Sequence, residues 1–505
     1  MAAFPQQPQS IAIIGGGVAG LQALRALENL PELEKIVLFE KSEDIGGVWR
    51  GQNYAGYGAQ VKREQYSFVE LSSSHLDVYP TARQLKLHCE DYVQTFSLRP
   101  FIRLGVEVQH LQRGNGCWRL ALNDGTSEDF HFVVLAVGNF NQKFLPEVSG
   151  AESFMGQILH SSDLLEPELV REHHVVVVGY GKSALDCFIL AAKEASSVTL
   201  VARSPAWILP QRFLGIPLEY LASTRWFANL VFPPYHDASF LRRFLGDLFW
   251  PFQTLLWWIL SPILWVHFWL PWSMLPKFSL RWQLWHGHSV SICNAQKVKE
   301  AFDKPNAHCI RGEILGFTGT GVLVEDATTK QHIERKADVV VFATGYTECW
   351  SKLFDQETLA SLDPAGDGSL ELYKLILPSN LPGLAFVGRV LTTCDIVTSF
   401  VQAQWLAALL AARFRWPPEV LRNAWSQRYR RWRESVGPLG PRGQTFVAVP
   451  RVFSYLDELL SDLDLPKSGG SFSCRRFFSP LAARNFTPVA GRGQKLVPLK
   501  TRAEA

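Results

Sequence analysis

Two glycine-rich turns, each behind an apolar β-branched run, carry the most chemistry in this chain. Ile11-Ala12-Ile13-Ile14 leads into Gly15-Gly16-Gly17-Val18-Ala19-Gly20, and Val175-Val176-Val177-Val178 leads into Gly179-Tyr180-Gly181-Lys182-Ser183-Ala184. Between a strand and a helix, such a turn cradles a pyrophosphate. Gly15 permits the tight turn, Gly17 lets the backbone approach the phosphates, and Gly20 lets the helix pack on the strand. The helix N-terminus adds free N–H groups and the positive end of its dipole. Two such turns suggest one protein holding two dinucleotides, with electrons passing between them.

The residues downstream differ. The strand Lys35-Ile36-Val37-Leu38-Phe39 ends at Glu40, where the fingerprint expects a carboxylate to bond ribose hydroxyls. A carboxylate repels a 2′-phosphate, so the first site suits FAD or NAD rather than NADP. In the second site Gly179 and Gly181 form the turn. Lys182 and Ser183 stand at the helix start, where a cation and a hydroxyl meet phosphate oxygens. The following strand, Ser197 to Ala202, ends at Arg203 instead of an acid. A guanidinium accommodates a 2′-phosphate, which favours NADPH over NADH.

Composition sets the frame. At 505 residues the chain has room for two or three domains, and a net charge of +3 does not imply nucleic acid. The eight cysteines form no CxxC and no Cys/His zinc spacing, so no metal centre is expected. They read as reduced thiols of a reducing compartment, and the absence of a close cysteine pair argues against a disulfide reductase. Residues 1–10 lack a basic and an apolar signal region. The expectation is a cytoplasmic, non-secreted chain.

Further motifs point to a family. Gly46-Gly47-Val48-Trp49 follows the ribose acid. Ala136-Val137-Gly138-Asn139 with Pro146 and Gly150 precedes Phe154-Met155-Gly156-Gln157-Ile158-Leu159-His160, an FxGxxxH segment. Later come Asp338 to Tyr346 (DVVVFATGY), Leu381 to Gly388, and Gln402-Ala403-Gln404-Trp405. Over roughly residues 10–410 the chain resembles the flavin-containing monooxygenases and the related Baeyer–Villiger monooxygenases. The resemblance implies FAD in the first site, with Gly47, Trp49 and Gly388 near it, and NADPH in the second. It implies an α/β fold of two Rossmann-like dinucleotide-binding domains. The FAD domain would be discontinuous (1–155 and 331–465), with the NADPH domain (165–330) inserted in it. It also implies the reaction: hydride from NADPH reduces the flavin, O₂ adds to give a C4a-hydroperoxyflavin, and one oxygen passes to a small lipophilic substrate at N or S. Alternatives are ketone oxygenation of the Baeyer–Villiger type, an NADPH oxidase releasing H₂O₂, and a non-catalytic membrane-associated flavoprotein.

The chain departs from the family pattern in two places. Leu164 stands where the full FxGxxxH motifs carry an aromatic residue. The loop that usually places an Asn amide over the flavin reads Leu71-Ser72-Ser73-Ser74-His75-Leu76-Asp77, so the catalytic polar group is left unassigned. His160 reads as a structural hydrogen-bonding residue of the linker.

Residues 205–290 form an apolar, Trp- and Phe-rich insert in the second domain, uncharged from Leu248 to Pro276. Its length and polarity make it a membrane-span candidate. A single crossing would put the two halves of the FAD domain on opposite sides. A hairpin with its apex near Ser261-Pro262 is too short to cross twice, and prolines interrupt regular helix. Two readings stay open: peripheral or monotopic contact with the cytosolic face of a membrane through 245–280, or a buried lid over a greasy tunnel. Residues 410–465 are expected to be helical, with Arg428, Arg430, Arg431 and Arg433 on a solvated face. Residues 466–505 read as a flexible basic tail.

Overall fold

A computed structural model describes residues 7–465 apart from 52–56, 269–270, 281–282, 284–290, 367–369, 437–450 and a few single positions. Beyond 465 it describes only Leu481, Ala482 and Phe486, so the expected basic tail lies outside the described residues.

Two five-stranded sheets, parallel throughout, organise the chain, and both are built the same way. The first runs, edge to edge, Leu384–Phe386, Phe132–Leu135, Ser10–Ile14, Lys35–Glu40, Ile102–Leu104. The second runs Ala307–Ile310, Ser197–Val201, His174–Val178, Val339–Phe342, Gln157–His160. In each, the strand before a glycine turn is central and buried on both faces, which is why it reads as an unbroken apolar run. Each unit also carries a three-stranded antiparallel sheet: Val108–Arg113, Trp118–Leu122 and Ser127–Phe130 in one, and Gly312–Thr318, Gly321–Asp326 and His332–Lys336 in the other.

One boundary moves. The return to the first domain was expected at 331, but Val339–Phe342 pairs with Val175–Val178 and with Gln157–His160, inside the second sheet. Val339–Phe342, remote from both in sequence, fills the gap between two strands that lie close together in the chain. The first strand to rejoin the first sheet is Leu384–Phe386, beside Val133–Leu135.

The insert also differs from expectation. Ser261-Pro262 is not a hairpin apex: Trp250–Phe268 is one 19-residue helix that runs through Pro262. Pro251 sits in the first turn, where its missing N–H is no loss. Pro262 forfeits one interior bond, at a cost of about 3 kcal/mol. Packing of Trp257 and Leu264 against Trp207 and Leu280 offsets it, and Ser261 Oγ donates to the Trp257 carbonyl at 2.8 Å. Among the described residues no helix is long and apolar enough to cross a membrane, which corrects the span candidate.

Helices Glu419–Val436 and Val452–Asp462 bear out the helical reading of 410–465 over those two stretches; 437–450 lie outside the described residues. Arg428 and Arg431 are exposed, but Arg433 is buried, so that face is only partly solvated. These helices hold the start of the insert: Arg225 forks onto Asp457 at 2.5 and 2.9 Å, and Trp432 Nε1 donates to the Pro234 carbonyl at 2.8 Å.

Candidate dinucleotide and substrate site

A single cavity of about 2400 Å³ runs between the two sheets. Its wall includes Gly15, Gly17, Glu40, Gly47, Trp49 and Gly388 on one side, and Gly179, Gly181, Lys182, Ser183 and Arg203 on the other. Of the site residues read from sequence, only Gly20 lies off the wall.

Gly20 has a packing task instead. A Cβ there would stand 1.8 Å from the Gly15 carbonyl oxygen, so only glycine lets the helix Val18–Leu27 close on the turn. Gly15 itself has φ +111, and a Cβ would meet the Ala136 carbonyl oxygen at 2.5 Å. The second turn repeats this geometry: Gly179 has φ +130, and its Cβ would meet the Ala343 carbonyl oxygen at 2.5 Å. Ala343, in the ATGY segment, thus does for the second turn what Ala136 does for the first.

Two motifs that sequence could only match acquire a mechanical reason. Gly46 N–H donates to the Gly16 carbonyl at 3.0 Å, and Gly47 lies so close to Gly17 that a Cβ would stand 3.0 Å from its Cα. The GG-x-W segment is therefore laid directly on the first turn. At the other end, Gln402 Oε1 accepts from Gly388 N–H at 2.9 Å and Gln402 Nε2 donates to Tyr455 Oη at 2.7 Å. A Cβ on Gly388 would stand 2.3 Å from Ala19 Cβ, so the late strand turn rests on the first helix N-terminus.

The wall fits phosphate and ribose. Helices Val18–Leu27 and Lys182–Glu194 start at Gly17 and Gly181 with no side-chain cap. Some helices elsewhere are capped, by Thr81, Thr224, Asn294 or Asp355. Uncapped amides at the cavity are donors in need of an acceptor. Glu40 is buried, and its oxygens accept from Gly16 N–H at 2.6 Å and Ser42 N–H at 2.9 Å. Each keeps a lone pair for a hydroxyl. Two buried acceptors on wall residues, Asn139 Oδ1 and Gln65 Oε1, have no partner among the described residues. Such orphans fit the polar edge of a bound molecule.

The second site is less tidy. Lys182 is ion-paired with Asp186, one turn along its helix. Arg203 is 76% exposed, with Nη1 3.3 Å from Glu313 Oε1. Sequence reading found neither acid, since Asp186 looks like any helix residue and Glu313 lies on a distant strand. His160 bears out its structural reading. It is fully buried, with Nε2 3.0 Å from the Gly345 carbonyl oxygen and Nδ1 2.8 Å from Ser162 Oγ, and burial lowers its pKa.

None of residues 71–77 lines the cavity, so the loop that lacks the family Asn contributes no polar side chain to the wall. A polar group missed in the sequence does. Asp395, at the first turn of helix Asp395–Leu410, lines the cavity and accepts from Thr392 N–H at 2.7 Å and Thr392 Oγ1 at 3.1 Å. Burial pushes its carboxyl up to about 6, against those hydrogen bonds. Near Trp49 stand Tyr57 and Tyr66, edge-on at 6.0 and 5.5 Å, and burial pushes the Tyr66 hydroxyl up to about 12.

The insert supplies the rest of the wall. Trp226, Leu256, Trp257, Leu260 and Leu264 line the cavity, while Phe240, Trp258 and Trp272 on the outer side are 84%, 78% and 73% exposed. One helix therefore presents an apolar face to the cavity and another to the outside.

A profile of the family described as flavin-binding monooxygenase-like matches residues 8–232 and 305–437. The chain is 27% identical over 457 residues to an Arabidopsis thaliana protein named probable flavin-containing monooxygenase 1, covering 81% of this chain and 83% of that one. It is 25% identical over 443 residues to dimethylaniline monooxygenase [N-oxide-forming] 4 of Homo sapiens, covering 81% and 71%. The fold is similar to that of a cyclohexanone monooxygenase from Rhodococcus sp. Phi1 bound to NADP⁺, with a TM-score of 0.68 at 18% identity over 90% of this chain and 98% of that one.

Proposed function

Because the chain belongs to the flavin-binding monooxygenase-like family, we propose that it is an NADPH- and O₂-dependent FAD monooxygenase that oxygenates a lipophilic small molecule at nitrogen or sulfur. The observation that carries this reading is the single cavity walled by both glycine turns and by the apolar insert. It supports two cofactors and a greasy substrate meeting in one shared space.

Bound FAD supplies the two-electron and oxygen chemistry, and NADPH supplies the hydride. The residues of this chain bind, orient and exclude water. The amides at Gly17 and the carboxylate of Glu40 hold the FAD pyrophosphate and ribose. Those at Gly181, with Lys182, Ser183 and Arg203, hold the phosphates of NADPH. Gly388, Gly47 and Trp49 shape the wall against the flavin. Trp257, Leu260 and Leu264 keep water from the reacting space, which an oxygenating enzyme needs if reducing equivalents are not to be lost as peroxide. The N-oxide-forming relative supports nitrogen over ketone substrates.

The test is NADPH consumption with and without amines, sulfides and ketones, with peroxide and ¹⁸O incorporation both measured. Substrate-dependent ¹⁸O incorporation into an amine or sulfide is expected. Peroxide equal to NADPH consumed for every compound would favour the oxidase instead, and labelled ester from ketones alone would favour Baeyer–Villiger chemistry.

The outer face of the insert supports a further part of the proposal: it rests on a lipid surface. Phe240, Leu241, Phe244, Leu248 and Trp258 are exposed apolar residues on consecutive helices, and Lys277 stands exposed beyond them. A patch of this kind seeks cover, and aromatics flanked by cations suit a bilayer interface. Flotation with anionic vesicles should carry the chain up, and replacing Phe240, Phe244 and Trp258 with serine should abolish it. Equal flotation of both would sink this part alone.

A further inference from the structure

We propose that His75, His88 and Asp91 form a binding site for a divalent transition-metal ion of the zinc type, outside the dinucleotide cavity. The helix Ala82–Thr95 is fixed at its start by Thr81 and Gln84, which exchange hydrogen bonds at 3.2 and 3.0 Å. His88 and Asp91 stand three residues apart on that helix and so share a face. His75, on the preceding loop, reaches the same point. One ligand atom from each of the three residues lies within 4.8 Å of the others. His75 Nε2 is 3.7 Å from Asp91 Oδ2, and the two imidazole rings are 5.2 Å apart between centroids.

The second observation concerns His88 alone. It is 1% exposed, and among the described residues neither of its ring nitrogens has a hydrogen-bond partner. Phe68 covers it, with ring centroids 5.2 Å apart, and offers no polar atom there. Leaving a buried imidazole unsatisfied costs about 1–3 kcal/mol and needs an explanation. A metal ion between His88, His75 and Asp91 provides one. Two neutral imidazoles and one carboxylate are a donor set that suits Zn²⁺, and the exposed side at His75 leaves the fourth position to water.

The ion would be structural. No residue from 67 to 135 lines the cavity. The loop of His75 is tied to the wall through Arg63, whose N–H donates to the Val78 carbonyl at 3.0 Å and whose Nη1 donates to the Leu76 carbonyl at 2.5 Å. Arg63 begins the short helix that carries the wall residues Gln65 and Tyr66. The ion therefore clamps the loop to the helix behind that wall. Sequence spacing did not signal it, because the third ligand comes from a loop and no cysteine takes part.

The experiment uses the FAD-loaded full chain, stripped with chelator, gel-filtered, and titrated with Zn²⁺ and Co²⁺. Metal content is read by mass spectrometry and Tm by differential scanning. His75→Ala and Asp91→Asn are the main variants, because neither side chain is buried. Loss of outer-sphere partners alone costs metal sites about 10–100-fold in affinity, so each variant should bind Zn²⁺ at least about tenfold more weakly. Zn²⁺ should raise the Tm of the parent and not of the variants. Absence of uptake by the parent, or equal uptake and equal Tm shifts in parent and variants, overturns the proposal. The readouts do not depend on turnover, so they stand apart from the oxygenase reading.

Discussion

Lys182 and Asp186, one turn apart on the helix that starts at Gly181, form an ion pair at the cavity wall with side chains 15% and 6% exposed. Asp186 Oδ2 also accepts from Gly58 N–H at 3.4 Å, and Lys182 Nζ lies 6.0 Å from the Tyr57 ring centroid, so the pair joins the second glycine turn to a loop of the first unit. A lysine held this way is placed but not spent: an ammonium has three donors. Lys182→Met should raise the NADPH KM about tenfold with flavin content unchanged, as expected for one charge-assisted phosphate contact. Asp186→Asn should lower the KM or leave it unchanged. If both variants lose stability equally and neither shifts the KM, Lys182 serves only as a brace.

Glu313 pairs with Arg203, the residue proposed to hold a 2′-phosphate, and so would compete with that phosphate for the guanidinium. Both side chains are more than half exposed, so their pair is weak and the guanidinium is available. Arg203→Gln should cut the NADPH-over-NADH preference in kcat/KM by about tenfold or more, the equivalent of a lost bidentate phosphate contact. Glu313→Gln should increase that preference. An unchanged ratio in both variants would remove Arg203 from the specificity set.

Glu40 holds two backbone N–H groups and faces the first turn. Glu40→Ala leaves both donors without a charged acceptor, at about 1.5–3 kcal/mol each. The expected result is a lower Tm and a sharply reduced ratio of flavin to protein absorbance. Glu40→Gln keeps one acceptor oxygen and should fall between the two. Full flavin occupancy in Glu40→Ala would exclude the ribose role.

His160 gives a pH signature. Burial lowers its folded pKa below the ordinary value of 6.5. Below that value the unfolded chain takes up a proton that the folded His160 refuses, so its contribution to stability is present above pH 6.5 and is lost as pH falls. Thermal unfolding from pH 8 to pH 5 should show the parent losing Tm faster than His160→Gln, whose amide can still donate to the Gly345 carbonyl. Parallel curves would remove His160 as the source.

Much of the site was legible because it is local. A glycine turn, its strand and its helix are contiguous: the constraint on Gly20 comes from the Gly15 carbonyl nearby in the chain, and only that on Gly15 comes from a distant segment, the Ala136 carbonyl. The same holds for Glu40, which ends the next strand. Residues whose role comes from another part of the chain were not legible. Asp186, Glu313 and Asp395 are ordinary acids in sequence and acquire meaning from Lys182, Arg203 and the cavity. The strand Val339–Phe342 reads as a plain apolar run, and nothing in it states which sheet it joins. The insert misled for a related reason: prolines predict interruption, but packing on Trp207 and Leu280 carries the helix through Pro262.

By itself the sequence determined that this protein holds two unlike dinucleotides, because short-range backbone sterics and the chemistry of a strand-end residue decide that. Only the tertiary structure decided that both turns and the greasy insert share one cavity, that the ATGY strand belongs with the second nucleotide, and that His75 meets His88 and Asp91. Those facts depend on which distant segments pack together, and packing is settled by the sum of many weak contacts rather than by any motif.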